Sequence, residues 1–428
     1  MRRTVTGLRV CLFLAVALAA ACGRQTPPDP LDAIASQYVT LATALMQRDA
    51  GAASGDTAPA TVSAAAATPT MSFADMVAQA GATRARLAGL APTDTTTARR
   101  RWLEAQLRAV EARARQLDGA TLSLDDELRE LYAVSLPARH DAELEDAVRR
   151  RLEALLPGPG PAAARLDAFE SDVVVPAPRL PAVFERALQE CRTRTRSAVN
   201  LPADESVSVK YVVGEAWSGF STYQGHGRSV VSVNTGFPLT VDRVLQLACH
   251  EGYPGHHVIN LLRDTQARAG RPELGAVPLY SPDAYETEAL AGRAASLVFT
   301  DDERTAFERD VLFPLAGLRV DLAERHVQVA RLVERLAPSL REALAGYLSG
   351  ELGFVETNWA LEEDAFMRHP QATLAFARLY RGFSLAYTGA VAPHGGVATE
   401  WLGQAGFPAE PVIISDNGDH SPTSSHGR

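Results

Sequence analysis

In residues 244–260, VLQLACHEGYPGHHVIN, an apolar run leads straight into a histidine and a glutamate. Two histidines one helical turn apart, with a glutamate beside the first, make a familiar metal-hydrolase helix, in which both imidazoles face one ion and the glutamate holds the attacking water. Here the position one turn beyond His250 is Pro254, which has no ligand atom. On an unbroken helix His256 would point about 120° away from His250, and His257 would stand about 10 Å further along the axis. Pro254 removes a helical hydrogen bond and clashes with the preceding turn. Gly255 tolerates backbone angles that other residues avoid. The pair therefore predicts a break that swings His256 back beside His250. Cys249, next to His250 but on another helical face, reads as a small core residue.

A hydrolytic zinc ion takes three protein ligands and keeps one position open. The third is sought in SPDAYETEALAGRAASLVF, where Ser281 and Pro282 mark a helix start. Glu286 and Glu288 lie on nearly opposite faces of that helix, so only one can look into the site. Glu286 is the first choice and Glu288 the alternative, and spacing alone does not separate them.

Upstream of the motif, VSVKYVVG and SVVSVNTG are rich in β-branched residues and form the one convincing strand region, between about Ser206 and Asn234. Elsewhere the periodicity is helical. In RRRWLEAQLRAVEARARQLDG, Trp102, Leu103, Leu107, Val110 and Ala114 recur at mostly three- and four-residue steps, with Gly119 as a cap. The expected fold is mainly α, a large helical metallopeptidase-like domain over residues 71–414 with a small β-sheet next to the active-site helix. A helical segment at 33–49 precedes it. Residues 50–70, AGAASGDTAPATVSAAAATPT, hold too few large apolar side chains to offset ordering and read as a disordered insertion. Residues 415–428 read as a disordered tail, with His420 and His426 solvated. His140, His369 and His394 show no ligand spacing.

The first 21 residues have the arginines, short apolar run and alanines of a bacterial signal peptide, and the run is too short to span a bilayer. Leu18-Ala19-Ala20-Ala21-Cys22 has the form of a lipobox, with Cys22 as the acylated residue and 22–32 as a tether. An exported lipoprotein on the periplasmic side of a membrane is expected, and Gly23 favours the outer membrane. Loss of the leader removes three arginines and no acids, so the net charge goes from −9 to −12. That disfavours a nucleic-acid partner, and no phosphate-loop or dinucleotide pattern suggests a nucleotide. The remaining cysteines, Cys191 and Cys249, are not expected to pair, since a domain this large needs no staple.

With these residues in place, the chain resembles the bacterial domain of unknown function 885 family, regarded as zinc metallopeptidases. That family carries His-Glu-x-x-Pro-Gly-His-His, matched by His250, Glu251, Pro254, Gly255, His256 and His257. It also has a β-run ending in Asn-Thr, matched by Asn234 and Thr235, and a downstream Glu-Gly-Trp-Ala-Leu, matched at Glu286, Ala289 and Leu290 with Thr287 and Glu288 in place of Gly and Trp. The resemblance is specific from about Tyr223 to Leu297. It implies a zinc-dependent hydrolase acting on peptides, with His250, His256 and Glu286 on Zn²⁺ and Glu251 as general base. The strand around Ser229 to Asn234 would pair with an extended substrate, with Asn234 and His257 as substrate-binding residues. His326 or Tyr387 would supply the oxyanion donor. Two other readings share the same residues: a degenerate, non-catalytic lipoprotein that binds a peptide or partner, and a metal hydrolase of non-peptide amides or esters.

Overall fold

The computed structural model describes residues 29–49, 56, 70–91, 97–137, 142–156, 158–215, 217–368 and 370–388. The leader, Cys22, the tail and most of the 50–70 segment lie outside them. The first half of the described chain is helical: α1 (Asp32–Arg48), α2 (Phe73–Gly89), α3 (Thr97–Leu117), α4 (Leu124–Tyr132), α5 (Ala142–Leu155), α6 (Ala162–Ser171) and α7 (Leu180–Ala198). Three strands follow, β1 (Ser206–Val212), β2 (Gly219–Gly225) and β3 (Arg228–Asn234). The second half is again helical: α8 (Val241–Glu251), α9 (His256–Arg268), α10 (Pro282–Ala291), α11 (Ala294–Val298), α12 (Asp301–Phe307), α13 (Phe313–Ala316), α14 (Ala323–Glu334), α15 (Ala337–Ser349), α16 (Phe354–Glu363) and α17 (Pro370–Tyr380). A 3₁₀ segment, Arg381–Thr388, closes the described chain. The fold is mainly α with one small mixed sheet, as the periodicity predicts.

Local chemistry accounts for the helix starts and stops. Ser72 and Ser123 accept the backbone N–H three residues on and so cap α2 and α4. Gly119, at φ +104°, closes α3. Ser281 caps α10 by accepting from the Ala284 N–H, with Pro282 in its first turn, as expected.

Three apolar clusters carry the packing. One joins α1, α2 and α3 around Tyr38, Leu41, Trp102 and Leu103. A second joins α4, α10, α15, α16, α17 and the 3₁₀ segment around Tyr132, Tyr285, Leu361 and Phe383. The largest wraps α5, α6 and α7, the sheet, and the helices from α8 to α14. In α8 the residues Val241, Val244, Leu245, Leu247, Ala248 and Cys249 are all buried, so most of the helix circumference is core. Among the described residues no helix is long and apolar enough to cross a membrane.

Two expectations are corrected at this level. The sheet order is β1-β3-β2, with β1 parallel and β2 antiparallel to β3. The strand expected to pair with substrate, β3, is thus central and has both edges occupied. The strand the periodicity missed is β2, GFSTYQG, because glycine and small polar residues hide its alternation. It lies close to α8: a Cβ at Gly219 would meet Leu247 Cδ1 at 2.6 Å. The second correction is that Cys191 and Cys249 form a disulfide, tying α7 to α8 across 58 residues of sequence. Both sulfurs sit in the largest apolar cluster. Burial and pairing are compatible, so reading Cys249 as core did not exclude a bond.

Candidate metal centre

Helix α8 ends at Glu251 and α9 begins at His256, and the four residues between them form the break. The Gly255 N–H donates to the Cys249 carbonyl at 3.1 Å. A Cβ at Gly255 would lie 1.8 Å from the His250 carbonyl oxygen and 2.6 Å from that of Cys249. Only glycine lets α9 start so close to the end of α8. The turn brings His256 Nε2 to 3.3 Å from His250 Nε2, which realises the predicted swing.

The carboxylate that completes this group is Glu288, not Glu286. Its Oε2 is 3.5 Å from His250 Nε2 and its Oε1 3.5 Å from His256 Nε2. The two glutamates are about 200° apart around α10, and the docking of α10 on α8 and α9 presents Glu288 to the histidines. Glu251 stands beside the group, with its Oε1 3.9 Å from His250 Nε2. Ligand atoms of His250, Glu251 and His256 all lie within 4.8 Å of one another, a geometry that can hold a metal ion.

The donor set fits a first-row divalent metal. Two ligands held tetrahedrally at about 2.0–2.1 Å from an ion should be about 3.3–3.4 Å apart, close to the separations seen among His250, His256 and Glu288. Glu288 Oε2 is also buried without a well-formed hydrogen bond, a state that an ion would relieve. Burial would raise the Glu288 pKa, but the charge of His256 and the nearness of both imidazoles outweigh it and hold the carboxyl well below the usual range. Glu251, 4% exposed, goes the other way, because burial exceeds the attraction of His250 and His256.

Tyr387 is the one oxyanion-donor candidate that reaches the site. Its hydroxyl interacts with Glu288 and lies within the field of Glu251; burial of that end and the two carboxylates lift its pKa well above the usual phenol value. The residue as a whole is 46% exposed, so Tyr387 forms a wall of the site that is open to solvent.

The other predicted residues are placed elsewhere. His326 is buried at the opposite end of α8, with Nε2 2.9 Å from Asp242 Oδ1 and 3.2 Å from the Asp242 backbone nitrogen. It holds the start of α8 and cannot serve a carbonyl at the other end. His257 is fully buried: Nδ1 lies 2.8 Å from Ser229 Oγ and Nε2 3.0 Å from Glu205 Oε2. It locks α9 to β3 instead of touching substrate. Asn234 is buried too, donating to the Glu215 and Trp217 carbonyls and accepting from the Gly236 N–H. Its amide is spent on the loop around the sheet.

Two residues carried no sequence signal. Glu205 is buried beneath the motif, held by His257, Tyr253, Arg192 and Arg196. Its burial is overcome by the His257, Tyr253 and Arg192 contacts, which bring its pKa down to about 2. Asp56, inside the segment read as a disordered insertion, places Oδ1 3.1 Å from His256 Nδ1.

No family model matches the chain. No curated protein matches it. It is similar to a solved structure described as "the putative lipoprotein from Colwellia psychrerythraea", with 16% identity and a TM-score of 0.43 over 73% of this chain. The matched region is 58% of that chain.

Proposed function

We propose that the protein is a zinc-dependent hydrolase that acts on peptide bonds. The observation that carries this reading is the convergence of His250 Nε2, His256 Nε2 and the Glu288 carboxylate at 3.3–3.5 Å with Glu251 alongside. Two imidazoles and one carboxylate are a donor set that zinc hydrolases use. The likeness of the motif to the domain of unknown function 885 family supports the same reading.

His250, His256 and Glu288 would hold the ion, which supplies Lewis acidity to a substrate carbonyl and acidity to a water. Glu251 is buried beside the histidines and would accept the proton of the attacking water, then pass it to the leaving amine. Tyr387, kept protonated by the carboxylates near it, would donate its hydroxyl to the developing oxyanion. An extended substrate would pair with β2, which packs along α8 through Gly219 and along α9 through the Tyr223 to Asp264 hydrogen bond of 2.7 Å.

We also propose export. The leader pattern and Cys22 suggest it, and the Cys191–Cys249 disulfide supports an oxidising compartment. The deciding experiment is metal content of the purified chain by elemental analysis. One zinc per chain is expected, lost in His256→Ala and in Glu288→Ala but kept in Glu286→Ala. A parent without metal after reconstitution with zinc would favour a peptide-binding lipoprotein.

A further inference from the structure

The break that delivers His256 leaves its imidazole free to rotate unless something holds the far nitrogen. On α9, His256, Asn260 and Arg263 stand at positions i, i+4 and i+7 and so share one face. All three are buried, and buried polar groups need partners. Asp56 answers two of them: its Oδ1 lies 3.1 Å from His256 Nδ1 and accepts from Asn260 Nδ2 at 2.6 Å. Arg263 adds a positive charge on the same side. Asp56 itself is 7% exposed.

We propose that Asp56 is a positioning residue of the metal centre. Its carboxylate accepts the His256 Nδ1 proton, fixing the tautomer and ring angle that aim Nε2 at His250 and Glu288. This rests on the metal reading given above. A carboxylate behind a ligating histidine orients it and raises its basicity, and loss of such a partner typically costs about 10–100-fold in metal affinity. Asn260 keeps the carboxylate in place, so the device is a three-residue relay from α9 to a residue 200 positions upstream of the ligand.

The test measures zinc affinity of the full chain by competition with a chelator, for the parent, Asp56→Ala and Asp56→Asn. In parallel, the proton on His256 Nδ1 is observed by NMR of histidine-labelled protein, with and without zinc. Asp56→Ala should weaken zinc about 10–100-fold and abolish the downfield Nδ1 proton resonance. Asp56→Asn, whose amide oxygen can still accept, should lose less and keep a shifted resonance. A purely structural tether would lower stability in Asp56→Ala while leaving zinc affinity and the resonance as in the parent, and that result overturns the proposal. A parent that binds no zinc overturns the hydrolase reading and this role together. A parent that binds zinc beside an unaffected Asp56→Ala overturns only the role of Asp56.

Discussion

Glu251 and Glu288 are carboxylates a few ångströms from the same two histidines, yet their environments drive them apart. Glu288 lies between His250 and His256, and the His256 charge outweighs burial and holds its carboxyl well below the usual range. Glu251 is dominated by burial, and its raised pKa is the direction expected of a group that gains a proton and returns it. Glu251→Gln keeps the shape and removes the base. It should retain one zinc per chain and lose hydrolysis by about 10²–10⁴-fold, read as metal content beside turnover of a peptide library. Undiminished turnover would remove Glu251 from the mechanism.

At the scale of elements, the site depends on how α8 is held at both ends. Its C-terminal end meets α9 through Gly255, where a Cβ has no room against the His250 carbonyl. Gly255→Ala must push the two helices apart; zinc affinity should fall by at least an order of magnitude while helical circular dichroism is nearly unchanged. The back of α8 is tied to α7 by the disulfide. Closing a loop of 58 residues is worth about 4 kcal/mol by unfolded-chain entropy. The double variant Cys191→Ser/Cys249→Ser should therefore unfold at clearly lower urea, and an unchanged midpoint would show the bond to be incidental.

The start of α8 carries the buried pair Asp242 and His326, flanked by Glu308 and Arg304. Asp242 is held well below its ordinary value despite burial, chiefly by the His326 charge. Its contribution is present above the unfolded carboxylate pKa of about 3.9 and is lost as pH falls through the folded value. His326 is raised despite burial, chiefly by Asp242. Its contribution is present below the unfolded value of about 6.5 and is lost as pH rises through the folded one. Thermal stability of the parent should hold from pH 5 to about 6.5 and decline as pH rises beyond that, through the folded His326 value. His326→Gln should flatten that alkaline decline, and a profile identical to the parent would show that the pair does not titrate with folding.

Across the whole molecule, the candidate metal centre sits where two of the three cores meet. Helix α8 belongs to the cluster around the sheet, while α10 gives Ala284 and Tyr285 to the cluster around Phe383 and Leu290 to the one around the sheet. Glu288 and Tyr387 reach the histidines from the second core, so the site exists only when both are assembled. This is why the histidines were legible in the sequence and their carboxylate partner was not. The helical break is a local consequence of Pro254 and Gly255, whose backbone chemistry acts wherever they occur. The choice between Glu286 and Glu288 depends on the rotation of α10 against its neighbours, which spacing does not encode.

The same division runs through the remaining residues. The chain by itself determined the mainly α class, the helix start at Ser281, the strand region before the motif, and the pairing of His250 with His256. All of these follow from interactions within a few residues. Only the tertiary structure placed β2 beside α8, joined Cys191 to Cys249, and turned His257, Asn234 and His326 into anchors. It alone brought Asp56 to His256. Each of those outcomes is a contact between segments distant in sequence, and a polar side chain reads the same before folding whether it will bind a ligand or brace the one that does.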